Sequence, residues 1–190
     1  MKKQYFGMDK VIIDGLYYPK DVFKVLIKTI TYNQSKYIEE TLDGIAMQKT
    51  SFPFVSIVLV DNSTDGEQDV IKTWLYRECD MTMAEYFDIK TANVIIVPHK
   101  TNTNCTFAIY FHKSNLYNRK DIRESQVDPW RQKCEYEAIC EGDDYWIDSL
   151  KLQKQVDFLD ANEKYVLSHT NHEIYNQSIH KVRKISRNLK

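Results

Sequence analysis

The sequence contains no apolar stretch long enough to cross a membrane as a helix. Its longest apolar runs are FVSIVLV, which Ser56 interrupts, and VIIV, whereas a membrane-spanning helix needs about 20 such residues. The amino end also has no continuous apolar segment followed by a small-residue cleavage site, as a secretory signal would require. We therefore expect a cytoplasmic protein that does not span a bilayer.

An excess of charge of one sign is also absent. The chain has 26 Lys and Arg residues against 27 Asp and Glu residues, which gives a net charge of −1. Proteins that bind DNA or RNA through the phosphate backbone normally present a clear excess of positive charge. We therefore predict no nucleic acid partner.

Several well-known site motifs are missing. The four cysteines form no C-x-x-C pair, and in a cytoplasmic chain we expect them to be reduced thiols in packed positions. The sequence has no G-x-G-x-x-G after its first strand, no P-loop, no G-x-S-x-G and no H-E-x-x-H. These absences exclude the usual dinucleotide fingerprint, the P-loop phosphate site, the hydrolase nucleophile elbow and the zinc-protease centre.

The first half of the chain shows a clear alternation of strands and helices. Residues 22–30 and 54–60 are rich in aliphatic and β-branched side chains, as expected of strands buried on both faces. Between them the apolar residues of SKYIEETLDGIAMQ recur at helical spacing, with Ser35 as a candidate N-cap, and a second helix is predicted over 67–78. Two strands joined by a helix are parallel, so the turns that follow them lie at one edge of the sheet.

We predict a single domain of 190 residues with its core over about 22–175. Its second half is expected to contain irregular structure over 79–92, a third strand over 93–98, a loop or insertion over 99–133, a fourth strand over 135–140, a helix over 148–162, a last strand over 165–170 and a basic tail over 176–190.

Acidic residues follow two of these strands. Asp61 comes directly after one strand, and Asp143 with Asp144 follows another, so three carboxylates are expected to converge on one edge of the sheet. Adjacent side chains point in different directions, so one aspartate can take a sugar hydroxyl while the other binds a cation. Mg²⁺ or Mn²⁺ suits such a site, because these ions take one or two carboxylates and complete their shell with phosphate oxygens and water. The pattern predicts a metal-bridged nucleoside diphosphate.

Three blocks of the sequence resemble a known family. VLIKTITYNQSKYIEETLDGI resembles its first strand, T-Y-N turn and first helix, and VSIVLVDNSTDG resembles its second strand and D-D/N-G-S-T-D-G turn. EAICEGDDYWIDSLKLQKQVDFLDAN resembles its D-x-D-type metal motif and the following helix. Together they resemble the nucleotide-sugar-binding part of family 2 inverting glycosyltransferases, in particular bacterial members with E-G-D-D-Y-W. The resemblance implies a GT-A-like, Rossmann-like α/β fold, with a mostly parallel sheet flanked by helices.

The resemblance also implies residue roles. The nucleotide-sugar site would comprise Thr31, Tyr32, Asn33, Asp61, Asn62 and Asp143. Within it, Thr31 and Tyr32 would line the nucleoside pocket, and Asp61 or its neighbour would face the base. Asp143 would meet the ribose or the sugar, and Asp144 would hold Mg²⁺ or Mn²⁺ on the diphosphate.

The implied activity is metal-assisted transfer of a sugar, with inversion, from a nucleoside diphosphate sugar to an acceptor hydroxyl, as in polysaccharide biosynthesis. The partners would be the donor and a saccharide or lipid-linked acceptor. No E-D-type base motif is visible after Asp144, so the sequence predicts the donor-binding part without the acceptor half. Glu173, which follows the last predicted strand, is the candidate base. The basic residues of 176–190 are compatible with contact with anionic lipid at the inner face of a membrane.

Two other functions fit parts of the pattern. A non-catalytic or degenerate nucleotide-sugar-binding module would keep the same fold and lack the acceptor half. A nucleotidyltransferase would also place paired aspartates and a metal on such a sheet, but the glycine- and arginine-rich triphosphate loop is missing. At single positions, Asp61, Ser63 and Asp65 are also compatible with ordinary helix caps.

Overall fold

The structure is a computed structural model of the chain, and it describes residues 11–13, 16–18, 23–176, 179 and 181–184. The chain divides into two compact units, Met1–Gln153 and Lys154–Lys190, where the sequence predicted one domain. The predicted basic tail, 176–190, lies partly outside the described residues. Within the described part of the chain, no helix is both long and apolar enough to cross a membrane.

The elements of the first unit, in chain order, are β1 (Val11–Ile13), β2 (Leu16–Tyr18), β3 (Val25–Thr31), α1 (Ile38–Ala46), β4 (Phe54–Val60), α2 (Glu67–Glu78), a 3₁₀ turn (Met81–Met83), β5 (Glu85–Asp88), β6 (Ala92–Pro98), β7 (Cys105–His112), α3 (Lys120–Arg131), β8 (Tyr136–Ile139) and the start of α4 (Lys151–Asp160). The second unit contains the rest of α4, β9 (Glu173–Asn176) and β10 (Lys181–Lys184).

Six strands of the first unit form one sheet in the order β5-β6-β7-β4-β3-β8. The strands β7, β4, β3 and β8 are parallel, whereas β6 pairs antiparallel with both β5 and β7. Every residue of β4 and β7 is buried, which explains why these strands are almost continuously apolar. The prediction of an α/β fold with a mostly parallel sheet is confirmed. Two short antiparallel hairpins, β1-β2 and β9-β10, lie outside this sheet.

Helices cover both faces of the sheet. On one face, Trp74 of α2 packs edge-on against Phe107 of β7, with ring centroids 5.1 Å apart. The Trp74 indole N–H donates to Asp43 of α1 at 2.7 Å. On the opposite face, Trp130 of α3 donates to the hydroxyl of Tyr110 at 2.9 Å within the apolar core. Because side chains alternate along β7, Phe107 and Tyr110 point to opposite faces, which places α1 and α2 on one side and α3 on the other.

The prediction of a loop or insertion over 99–133 is wrong. This region contains β7, a central strand of 8 residues, and α3, a helix of 12 residues. The polar residues on either side of CTFAIYFH concealed the strand, and Pro129 inside α3 concealed the helix, because proline is unfavourable in a helix interior.

Smaller differences concern the ends of elements. Residues 79–92, predicted to be irregular, contain the 3₁₀ turn and β5. No strand forms over 165–170, and the strand of that region begins at Glu173. The first helix has Tyr37 at its N-cap position in place of Ser35. By contrast, β4 and α2 have the bounds that the sequence predicts.

Candidate functional site

Three turns meet at the carboxyl ends of the adjacent parallel strands β4, β3 and β8. We call residues 32–37, after β3, the first turn, residues 61–66, after β4, the second turn, and residues 141–144, after β8, the acidic turn. Backbone hydrogen bonds continue the sheet into them: the Asp61 N–H donates to the Thr31 carbonyl at 2.9 Å, and the Gly142 N–H donates to the Ile30 carbonyl at 3.1 Å. The turns therefore lie at one edge, as predicted.

Side chains tie the first turn to the second. The Asn33 amide oxygen accepts from the Thr64 N–H at 2.7 Å, and the Asn33 N–H donates to the Ser63 hydroxyl at 3.1 Å. The Asp65 carboxylate accepts from the Ser35 N–H at 2.9 Å. Asn33 has a φ of 55°, a left-handed conformation that asparagine tolerates better than most residues. The Asn33 side chain thus bridges the two turns.

The carboxylate of Glu67 joins the end of β3 to the second turn. Glu67 is the first residue of α2 and is 0% exposed. Its two oxygens accept hydrogen bonds from the hydroxyls of Thr31 and Ser63. Glu67 is not evident from the sequence, because an acidic residue in the first turn of a helix is usually an exposed partner of the helix dipole.

The acidic turn packs against β3 through a glycine. A Cβ atom at Gly142 would overlap the side chains of Thr31 and Gln34, so only glycine allows the turn to approach β3 this closely. The Thr31 side chain is buried under the turn, at 1% exposure. The glycine of E-G-D-D therefore sets how near the two aspartates lie to the first turn.

Helix α1 holds the acidic turn and the residues after it on the other side. The hydroxyl of Thr41 donates to the carbonyl of Asp144 at 2.7 Å and lies 3.0 Å from the carbonyl of Gly142. A Cβ at Gly44 would lie 2.7 Å from the backbone nitrogen of Trp146. These contacts fix the acidic turn through its backbone, and they leave the side chains of Asp143 and Asp144 exposed.

The electrostatics of the acidic turn favour a cation. Burial raises the pKa of Glu141, and the nearby Asp144 and Asp143 raise it further, while Lys28 opposes them. Burial also raises the pKa of the Cys140 thiol to about 12, so this cysteine offers no thiolate ligand at neutral pH. In the described residues, no group of three or more His, Cys, Asp or Glu side chains could hold a metal.

Asp61 lies at the same edge as the acidic turn, as the strand order predicts, but the protein encloses its carboxylate, which the sequence does not indicate. Its carboxylate is buried and accepts from the Leu116 N–H at 2.5 Å. His112 of β7 and Arg123 of α3 lie 3.4 Å and 3.9 Å from its two oxygens. Burial lowers the pKa of His112, although hydrogen bonds with Gln126 and Asp61 oppose this. The lowered pKa favours the neutral form of the imidazole beside Asp61.

The other predicted site residues differ in exposure. Tyr32, in the first turn, is 49% exposed, and Asn62 in the second turn is half-buried with a φ of 55°. Glu173 is the first residue of β9 in the second unit, and its side chain is exposed. Its assignment as a base stays a prediction.

No family model matches the chain. Curated proteins similar in sequence include the uncharacterized protein Rv1520 of Mycobacterium tuberculosis and the uncharacterized protein Mb1547 of Mycobacterium bovis. Each is 37% identical over 150 residues, or 78% of this chain. The chain spans 35% of the length of each of these relatives.

Solved structures similar to the chain include residues 1–349 of Staphylococcus aureus TarS, with a TM-score of 0.49 and 22% identity over 74% of this chain and 33% of that one. The same TarS fragment in complex with UDP-GlcNAc gives a TM-score of 0.45. The mannosyltransferase PcManGT from Pyrobaculum calidifontis, in complex with GDP-Man and Mn²⁺, gives a TM-score of 0.46 and 17% identity over 75% of this chain and 36% of that one.

Proposed function

We propose that this chain is the donor-binding part of a glycosyltransferase and that it binds a nucleoside diphosphate sugar at the edge formed by the three turns. The observation that carries the proposal is the acidic turn. Its backbone is fixed by Gly142 and Thr41, while its two aspartates are exposed. Open α/β sheets bind ligands beyond the carboxyl ends of their parallel strands, and this is where the turn lies.

The residues of the acidic turn fit Mg²⁺ or Mn²⁺. Two exposed adjacent carboxylates match ions that take one or two carboxylates and complete their shell with phosphate oxygens and water. When bound, the cation would neutralise charge that develops on the departing diphosphate. In this proposal Asp144 holds the cation and Asp143 accepts a hydrogen bond from a hydroxyl of the ribose or the sugar.

The first and second turns would receive the nucleoside. Tyr32 presents an exposed ring at this edge, which suits stacking on a base. Asn33 and Asn62, each with a φ of 55°, turn the chain sharply at the ends of the two strands. The proposed donor site therefore combines Thr31, Tyr32 and Asn33 with Asn62 and the acidic turn.

The activity of the whole protein is also a proposal, since the chain spans 35% of the length of its curated relatives. We propose an inverting transfer to a saccharide or lipid-linked acceptor, with Glu173 as the candidate base. A base must lie within hydrogen-bond reach of the attacking hydroxyl. Contact with anionic lipid at the inner face of a membrane belongs to the same proposal.

A non-catalytic donor-binding module is the second candidate, and one observation favours it. Three of the acidic side chains near this edge, Asp61, Asp65 and Glu67, already accept hydrogen bonds from the protein. They are poor bases for an acceptor hydroxyl, because taking up a proton would disrupt those bonds. Donor binding without transfer would distinguish this module from a transferase.

Calorimetry with UDP, GDP, ADP, CDP and dTDP, each in the presence of Mn²⁺, Mg²⁺ or a chelator, tests the proposal. At least one nucleotide should bind with a cation and lose about 100-fold in affinity with chelator, because the diphosphate charge is then unneutralised. Asp144→Asn should lose the cation dependence and unfold at or above the wild-type temperature, since it relieves repulsion with Glu141.

Asp157→Asn, at an exposed position of α4, is the matched control and should bind as the wild type does. Equal affinity with and without the cation would remove the metal from the proposal. No binding of any of the five nucleotides would contradict the donor-binding function itself.

A further inference from the structure

The side chain of Glu67 occupies an unusual position for a carboxylate. It is completely buried, and no Lys, Arg or His in the described part of the chain forms an ion pair with it. Its partners are the hydroxyls of Thr31 and Ser63. Burying a carboxylate without a cation costs stability compared with an apolar side chain of similar volume. Stability alone is therefore a poor explanation for this residue.

The two hydroxyls belong to different parts of the edge. Thr31 ends β3 and its side chain supports Gly142 of the acidic turn. Ser63 belongs to the second turn and accepts from the N–H of Asn33 in the first turn at 3.1 Å. One carboxylate thus connects, through two hydrogen bonds, to all three turns. Moving it would shift the acidic turn relative to the other two.

We infer that Glu67 is a positioning residue of the donor site: its buried carboxylate, acting through Thr31 and Ser63, fixes the separation between the acidic turn and the first and second turns. The inference rests on the proposed function, since it assumes that the diphosphate binds at the acidic turn and the nucleoside at the other two. A nucleotide that spans both regions needs this separation to be set before it binds.

The hydrogen-bond chemistry predicts which substitution is tolerated. In Glu67→Gln, the amide nitrogen can donate to the Thr31 hydroxyl, which then gives its own proton to the Gln34 oxygen 2.9 Å away. The amide oxygen can still accept from Ser63. This variant keeps both links, whereas Glu67→Ala removes both and Ser63→Ala removes one. The inference therefore concerns hydrogen bonding and not charge.

The test compares these variants with Ile71→Val, which removes apolar volume from the buried face of the same helix and leaves the links intact. We expect the Kd for UDP or GDP with Mn²⁺ to rise about tenfold in Glu67→Ala and less in Ser63→Ala. Glu67→Gln and Ile71→Val should bind as the wild type does. Hydrogen exchange without nucleotide supplies a second readout: the amides of Asn33 and Gly142 should exchange faster in Glu67→Ala than in Ile71→Val.

Two results would overturn the inference. One is a Glu67→Ala variant that binds and exchanges like Ile71→Val. The other is a Glu67→Gln variant that is as impaired as Glu67→Ala, which would assign the effect to charge. If Glu67→Ala does not fold, Ser63→Ala decides by the same criteria. If no nucleotide binds the wild type, the proposed function fails and the exchange rates alone decide whether Glu67 fixes the turns.

Discussion

Two acidic positions at the same sheet edge have opposite environments. Asp61, after β4, is 2% exposed and is held by Leu116, His112 and Arg123. Asp143 and Asp144, after β8, are exposed on a turn that is held through its backbone. The difference comes from the neighbours. β4 lies inside the sheet, and groups of β7, of the following loop and of α3 enclose Asp61 at its end, whereas β8 is an edge strand.

This contrast shows that a carboxylate at the end of a parallel strand is not by its position a ligand-binding group. The residues that surround the carboxylate decide its role. A carboxylate enclosed by a neighbouring strand and helix satisfies its oxygens within the protein, and it stabilises the fold. A carboxylate at an exposed strand end lies where a cation or a ligand can reach it from solvent.

The largest expected effect separates these two environments directly. Asp61→Ala should lower the free energy of unfolding by about 3 kcal/mol, because it leaves the buried Leu116 N–H unpaired and removes the carboxylate facing Arg123. Asp143→Ala, at the exposed position, should change it by less than about 0.5 kcal/mol. Urea unfolding of both variants measures this. Equal losses of unfolding free energy in the two variants would contradict the different roles assigned to the buried and the exposed carboxylates.

The next effect concerns the packing of α1 against the segment that follows the acidic turn. An alanine in the middle of an exposed helix is normally about 1 kcal/mol more favourable than glycine. Gly44→Ala should instead destabilise by about 2 kcal/mol, because the new Cβ overlaps the backbone of Trp146. Glu40→Ala, at an exposed position of the same helix, is the control and should have little effect on thermal unfolding. A stabilised Gly44→Ala variant would show that the Trp146 segment is not tightly docked.

A smaller effect concerns how the free energy of unfolding depends on pH through His112, which lies beside Asp61. Because burial lowers the pKa of His112, the unfolded chain binds this proton more readily than the native one as the pH falls through about 6.5. The contribution of His112 to stability is therefore present above that pH and is lost below it. When the pH falls from about 7.5 to about 5.5, a range that brackets the ordinary histidine pKa, the His112→Gln variant should lose less free energy of unfolding than the wild type. Its control is His172→Gln, at an exposed histidine. Parallel pH profiles for the wild type and His112→Gln would contradict this assignment.

The smallest effect is expected in catalysis. We predict that the 190-residue chain binds a nucleotide sugar but transfers the sugar poorly to an acceptor. Its main reaction should be slow hydrolysis of the donor. Glu173→Gln should reduce any residual turnover, if Glu173 acts as the base. Mass spectrometry of incubations with a panel of nucleotide sugars and simple saccharides measures this. Multiple-turnover transfer would contradict the first statement, and unchanged turnover in Glu173→Gln would contradict the second.

The parts of the fold with strong local signals were predictable from the sequence. β4 is a continuous apolar run, and the apolar residues of α2 recur at helical spacing, so both bounds were correct. The position of the acidic turn at the edge also followed from strand order and motif. In contrast, β7 was missed because its pairing with β4 and β6 is a long-range property that the polar residues around it do not indicate.

The roles of single site residues depended on contacts between distant segments. The groups that enclose Asp61, namely His112, Leu116 and Arg123, come much later in the chain. Gly142 must be glycine because of Thr31, and Gly44 because of Trp146. No local pattern shows these approaches. Local sequence could therefore predict where the acidic residues lie, but not which of them the fold encloses.

The strand order also determines when the edge can form during folding. β3 pairs with β4 early in the sequence, but its other neighbour is β8, so that Val25 pairs with Tyr136. Closing so long a loop is slow, because its entropy is lost before the contacts between β3 and β8 can stabilise the sheet. During synthesis, β3 therefore emerges with its outer edge unpaired until β8 has been made. The turn that carries Asp143 and Asp144 joins the first and second turns only after most of the first unit has been synthesised.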